Sequence, residues 1–450
     1  MRIGVFGHVG NQNLGDEALI AAVVENVRRR YPEVELRAFT TRPQDTEQRH
    51  GIAAFPIRRM NGGPVTRAAR SESLGVGRDL RARLRRVPVL PGLVRAARRL
   101  GNAARAVALE LRFLVQSYRR LRGTDLLLVA GSQQLNDYWG GPWAFPFTLF
   151  KWSLLAWASG TRVAFLSVGA GPLDTPLGKF FVRQALRLAG YRSFRDDDAR
   201  TCVLGLGVSG DHPVVPDLAF SMSVDLALRP VPRGERRIVG INPMPVFDDT
   251  YYPEHDPQVY GQYVSTLAGF ADWLVERGYD VRFFATQLLV DHQVIDDVQR
   301  RMKHRGPRIV AGRIHSFDEL VSVIDGLDLV VATRYHGTVF SLIRRKPVLS
   351  IAYHRKSIDL MTQLGLGEYA IDIARLTLAA LQQRFVALEA QRARFTELLD
   401  RGLPVVRAQL DSQYERALSL LWRERHKPRP AGSGMKNAPS APRPLGGSPA

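Results

Sequence analysis

The chain has a single cysteine, Cys202, in 450 residues. That excludes a disulfide framework and a cysteine-ligated zinc site, and a reducing compartment fits. No apolar run reaches the roughly 20 residues that a membrane span needs. The nearest, "PWAFPFTLFKWSLLAWASG" from Pro142 to Gly160, is broken by two prolines and Lys151. It reads as a buried helix with an aromatic approach, and less readily as a membrane-surface patch. The opening "MRIGVFG" runs directly into a strand-like segment. It has no charged region, long apolar core or cleavage site of a secretory signal, so the expected location is the cytoplasm. There is no G-x-G-x-x-G fingerprint and no Walker lysine, which argues against a dinucleotide or a P-loop NTPase. The histidines show no spacing such as H-E-x-x-H, so neither a metal nor a resident cofactor is expected.

Acids are also scarce. Against 63 Lys and Arg stand 43 Asp and Glu, for a net charge of +20. The excess is concentrated between Arg58 and Arg122, where seventeen arginines face three acids, a net of about +14. Aromatic residues that would stack bases are nearly missing there, which argues against nucleic acid. Two readings remain. One is a solvated helical insertion. The other is an Arg-rich, partly apolar helix on the anionic inner face of the plasma membrane, which would make the protein peripheral.

What the sequence does have is alternation of strand and helix. "RIGVFGH", "VELRAFT", "DLLLVAG", "RVAFLSVGAG" and "YRSFRD" read as strands in the first half, and "VVPDLAF" closes that half. The second half has "RIVGINP", "DVRFFATQ", "PRIVAG", "DLVVATRYH" and "KPVLSIAY", with helices near 259–277, 290–304, 316–326, 338–345 and 356–364. Such alternation predicts parallel sheets covered on both faces. The expected fold is α/β, with two Rossmann-like doubly wound domains facing a cleft. The first spans 1–226 and carries the basic insertion 58–122. A Pro- and charge-rich linker covers 227–237. The second domain spans 238–374, helices follow over 375–424, and a disordered tail runs from 425 to 450. Ligands of such folds sit beyond the carboxyl ends of the strands.

Three stretches at predicted strand ends carry chemistry. In "GHVGNQNLGDEALIAA" (Gly7 to Ala22), Gly10 and Gly15 permit tight turns. Asn11, Asn13, Asp16 and Glu17 suit sugar hydroxyls, and an acid can accept a hydroxyl proton. Equally, they can cap the following helix and complement its dipole. In "YRSFRDDDAR" (Tyr191 to Arg200), Asp196 to Asp198 read as a cap with first-turn acids, and Arg195 points to the cleft. In "DLVVATRYHG", Arg334 and His336 end a strand and Gly337 opens a helix. Arg334 can grip a carboxylate or phosphate, the helix start offers free N–H groups, and His336 can give or take a proton near neutrality. Lys356 follows the next strand as a third cation, beside His354 and Arg355.

With "GNQNLGDEAL", "VGAGPL", "SFRD", "PDLAF", "RYHG" and a lysine twenty residues after the histidine, the chain resembles the polysaccharide pyruvyl transferase family over residues 1 to about 370. The resemblance implies a GT-B-like pair of domains. It also implies transfer of the enolpyruvyl unit of phosphoenolpyruvate, a co-substrate rather than a cofactor, to two hydroxyls of one sugar, as a cyclic ketal. The acceptor would be a bacterial-type surface polysaccharide or its lipid-linked precursor. On this mapping Arg195, Arg334, Gly337 and Lys356 hold the donor and His336 is the general acid. Gly10, Asn11, Asn13 and Gly15 lie at the acceptor, and Asp16 or Glu17 helps to deprotonate it. The chain departs from the pattern at "AGSQQLND" (Ala130 to Asp137), where the family usually has a glycine-rich turn. It departs again at Ala199, where a serine often follows "RD". A glycosyltransferase using a nucleotide sugar and a non-catalytic membrane-associated scaffold are the competing readings.

Overall fold

The computed structural model describes residues 1–7, 12–59, 90–222, 236–252 and 254–422, with backbone alone at 90–100, 102 and 103. Gly10 and Asn11, residues 60–89 of the basic insertion, most of the linker and the 425–450 tail therefore lie outside the described residues.

Six parallel strands form the first sheet: β1 (Arg2–Phe6), β2 (Glu35–Thr40), β3 (Ala53–Pro56), β4 (Leu126–Ala130), β5 (Arg162–Val168) and β6 (Tyr191–Phe194). Their order is β3-β2-β1-β4-β5-β6. Every residue of β4, "LLLVA", is buried, as a central parallel strand covered on both faces requires. The accompanying helices are α1 (Leu14–Arg30), α2 (Pro43–His50), α3 (Leu90–Leu121), α4 (Phe145–Ser159), α5 (Pro176–Arg187) and α6 (Asp197–Gly205). Asn13 caps α1, and Arg28, Arg29 and Arg30 complete its last turn, where cations meet the negative end of the dipole.

The second sheet comprises β7 (Ile238–Asn242), β8 (Asp280–Phe283), β9 (Ile309–Ala311), β10 (Leu329–Ala332), β11 (Val348–Ala352) and β12 (Ala370–Asp372). Its order, β12-β11-β10-β7-β8-β9, repeats the first topology. Between its strands run α7 (Pro257–Glu276), α8 (Asp291–Arg301), α9 (Phe317–Asp325), α10 (Tyr335–Ile343) and α11 (Arg355–Gln363), followed by α12 (Leu378–Ala390) and α13 (Arg392–Leu418). The result is a two-domain, GT-B-like α/β fold. Each sheet reverses its strand order next to its first strand, between β1 and β4 and between β7 and β10, and such crevices collect ligands.

Three features go beyond the expectation. A helix and a strand, α2 and β3, precede the basic segment. "PDLAF" forms a one-turn 3-10 helix, Leu218–Ser221. The last of the C-terminal helices, α13, returns to the first domain. There the buried Gln413 side-chain oxygen accepts from the hydroxyls of Ser167 (3.0 Å) and Ser193, and Asp411 pairs with Arg29 and Arg30. No described helix is long and apolar enough to cross a membrane.

Candidate active site

Arg195 leaves the end of β6 with its guanidinium almost fully buried. It lies 5.0 Å from the Tyr335 ring centroid. Its nearest acids are at 3.6 Å, Asp196 to Nε and Asp217 to Nη1. Nε and Nη2 have no hydrogen-bond partner. Gly169 makes this placement possible, since a Cβ there would stand 2.7 Å from Nη2. Buried donors left unpaired are costly and point to a missing acceptor.

Two further cations close on the same ground. Lys356 Nζ sits 5.3 Å from the Tyr335 ring and 5.1 Å from the Tyr353 ring, and it donates to Gln133 Oε1 across the cleft at 3.3 Å. Arg334 lies 5.5 Å from the Tyr251 ring. Its Nε donates to the fully buried Asp291 at 2.8 Å. The convergence registers on one phenol. Burial alone would push the Tyr353 hydroxyl up, yet Lys356, Arg334 and Arg195 together pull it below the ordinary tyrosine value. The cations at 195, 334 and 356 therefore act on one buried phenol at the edge of the second sheet.

His336, in the first turn of α10, faces the other domain. Its Nε2 lies 3.7 Å from Asp217 Oδ2, and its ring stacks on Phe340. Nδ1 lies against Gly15 so closely that a Cβ there would stand 2.0 Å away. Burial would raise the Asp217 carboxyl, but His336 and Arg195 hold it below the usual carboxylate range. Asp16 behaves oppositely. Burial raises it, and the neighbouring His336 and the Ser132 hydroxyl only partly offset that.

The Asp16 shift has a testable sign. Below the unfolded carboxyl value both states are protonated. As pH rises, the unfolded chain ionises first, and stability is lost until the folded carboxyl also ionises. Asp16→Asn escapes that loss. It should melt at a higher temperature than the parent at pH 7 and at the same temperature near pH 3, below the ordinary carboxyl value of about 3.9. Equal melting at both pH values would show that Asp16 carries no such burden.

The remaining sequence-predicted residues divide. Asn13 is occupied with capping. Its Oδ1 accepts from Gly15 N at 3.1 Å and its Nδ2 donates to Asp16 at 2.9 Å. Glu17 is buried and paired with His50 at 3.0 Å, so it is engaged with α2. Gly337 is dictated by packing, because a Cβ would stand 1.9 Å from Asn242 Oδ1. Of the acid run, Asp196 caps α6 by accepting from Ala199 N at 2.8 Å.

The model of the polysaccharide pyruvyl transferase family matches residues 13–355. The chain belongs to that family. The matched span holds Asp16, Arg195, Asp217, Arg334 and His336, and Lys356 is the next residue. Among curated proteins, the amylovoran biosynthesis protein AmsJ of Erwinia amylovora is 32% identical over 113 residues. That match covers 23% of this chain and 26% of that protein. The chain thus aligns with about a quarter of the length of this relative. In fold, the chain is similar to the UDP-GlcNAc 2-epimerase of Neisseria meningitidis, solved bound to UDP-GlcNAc. The TM-score is 0.56 at 9% identity, covering 93% of this chain and all (100%) of that one. It is also similar to the epimerase of Methanocaldococcus jannaschii, with TM-score 0.50 at 9% identity over 86% and 92% of the two chains.

Within this pyruvyl transferase framework, several residues at the cleft received no role from the sequence. Asp217 lies in the quoted "PDLAF", but nothing local ties it to His336. Asp291 orders the site in two directions. Its Oδ2 accepts from the N–H groups of Thr286 (3.0 Å) and Gln287 (2.8 Å), while Oδ1 holds Arg334. The divergent turn after β4 also contributes, with Ser132 at φ +60° reaching Asp16 and Gln133 reaching Lys356.

Proposed function

We propose that the chain transfers the enolpyruvyl unit of phosphoenolpyruvate to two hydroxyls of a sugar in polysaccharide biosynthesis, releasing phosphate and leaving a pyruvate ketal. The observation that carries this is the buried, unpartnered guanidinium edge of Arg195 beside Lys356 and Arg334. Phosphoenolpyruvate brings roughly three negative charges, from a carboxylate and a phosphate. A water-poor hollow walled by tyrosines strengthens such contacts.

In this reading His336 delivers a proton to the methylene carbon, which becomes the methyl group. The electron deficiency then rests on C2. One sugar hydroxyl adds there and loses its proton, and the C2–O bond to phosphate breaks. The second hydroxyl closes the ring and loses its proton in turn. Asp217, fixed by Ala219 N at 3.0 Å, orients the imidazole from the Nε2 side. Asp16, raised by burial, is suited to hold a proton taken from the acceptor. Glu17, paired with His50, serves the packing of α1 on α2.

The test is incubation with phosphoenolpyruvate and a panel of sugars, reading phosphate release. A UDP-sugar in place of phosphoenolpyruvate examines the glycosyltransferase alternative, with thermal protection reporting which donor binds. Arg195→Met should weaken protection by phosphoenolpyruvate by about 10- to 100-fold in concentration, the usual loss of a charge-assisted contact. Unchanged protection would remove Arg195 from the donor site.

A further inference from the structure

The three helices α3, α4 and α5 present a surface that the cleft chemistry leaves unused. The C-terminal part of α3 packs through Phe113, Ser117 and Leu121, which are buried. The preceding turn, residues 104–109, is exposed all round. Val107, Leu111 and Val115 stand exposed at four-residue intervals, which is one face of a helix. Arg105, Arg112 and Arg119 stand exposed at seven-residue intervals, which is two turns and a neighbouring face. The single acid of α3, Glu110, is already neutralised by Lys151 and Arg59, each at 3.0 Å.

The apolar surface continues across α4 and α5. Lys151 of α4 lies 4.7 Å from the Phe113 ring of α3. Phe150 of α4 meets Phe180 of α5 at 6.2 Å. Trp143 is 63% exposed, Trp157 55% and Phe180 48%, and Leu154 and Leu177 are also exposed. Tryptophan is ordinarily well buried. Trp139, in the same loop as Trp143, packs on Tyr251 at 5.6 Å across the cleft, so the surface begins at the mouth of the site.

We propose that α3, α4 and α5 form one face that docks on an anionic bilayer. Trp143, Trp157, Phe180 and the Val107–Leu111–Val115 stripe enter the headgroup–acyl boundary. Arg105, Arg112 and Arg119 meet the lipid phosphates. Apolar and cationic side chains on adjacent faces are what an interfacial helix needs. Among the described residues no ion pair holds these three cations, which leaves them complementary to a negative leaflet. Nucleic acid would use the arginines and leave the valines, leucines and tryptophans in water.

Flotation of the full chain with vesicles tests this. It should bind vesicles containing roughly one third phosphatidylglycerol, not pure phosphatidylcholine, and salt should release it. Arg105→Glu with Arg112→Glu should weaken binding by about tenfold or more. Trp157→Ser with Phe180→Ser should do so by a similar factor, since each removes interfacial apolar area. Brominated lipid should quench the tryptophan emission of the parent, and less in Trp157→Phe. Phosphate release on a soluble sugar should not change in any of these, and melting temperature should not change in the arginine variants, because those positions are exposed. Absent vesicle binding, binding that survives all these substitutions, or quenching that is missing despite binding would overturn the proposal. So would binding to RNA or to a protein partner that outcompetes the vesicles.

Discussion

His336→Ala should lower phosphate release from phosphoenolpyruvate and sugar by about 10²-fold or more, the usual contribution of a positioned acid. Thermal protection by phosphoenolpyruvate should persist, because Arg195 and Lys356 remain. That split separates proton delivery from donor binding. Loss of protection together with turnover would instead make His336 a donor ligand, and near-parental turnover would remove it from the chemistry altogether. Asp217→Asn offers the companion measurement. It keeps the shape but takes away the charge 3.7 Å from Nε2. If Asp217 works by orienting a protonated imidazole, the variant should shift the pH profile of turnover as well as its height.

Gly15→Ala is the second large effect, and an unusual one. In the first turn of a helix, alanine is normally preferred to glycine by up to about 1 kcal/mol. Here the methyl group would stand 2.0 Å from His336 Nδ1, so the imidazole must move or the domains must part. Overpacking of this kind costs about 1–3 kcal/mol. Turnover should fall nearly as far as in His336→Ala. The decisive measurement is the double variant, since two residues in contact do not add. With the imidazole gone, Gly15→Ala should cost no stability, and the helix preference should make it slightly stabilising. A full additive penalty in the double variant would show that Gly15 and His336 do not meet.

How far the sequence foretold these features depends on the distance between the partners. The strands "LLLVA" and "LVVA" are apolar throughout, and a buried parallel strand leaves few other readings. Arg195, Arg334, His336 and Lys356 could be singled out as candidates because each lies within four residues after the end of a strand, where chain direction delivers it to the carboxyl edge. In contrast, α2 reads "PQDTEQRH", eight residues without an apolar period, and β3 has four residues ending in proline. Both are formed by tertiary context. Asp291 is 43 residues from Arg334 and has no local feature beyond a helix start. On α13, Gln413 meets two hydroxyls of the first domain, a contact no helical pattern encodes. The glycines at 15 and 337 suggest turn freedom or room for an anion, whereas the structure uses both for close approach of a side chain from another element. For Asn13, sugar binding and capping were equally open, and the cap is what the backbone took.

The loop entering α1 is joined to the second domain by main-chain bonds. Leu14 N donates to Thr286 O at 2.9 Å, and Leu288 N donates to Gln12 O at 3.0 Å. The carboxylate that receives the amides of Thr286 and Gln287 also grips Arg334. A gap wide enough to admit a sugar chain by separating the two halves would have to unzip this short ladder first. The same tug would loosen the hold of Asp291 on the arginine. Parting of the two halves and loosening of Arg334 are thus mechanically geared, with residues 286–288 as the tooth between them.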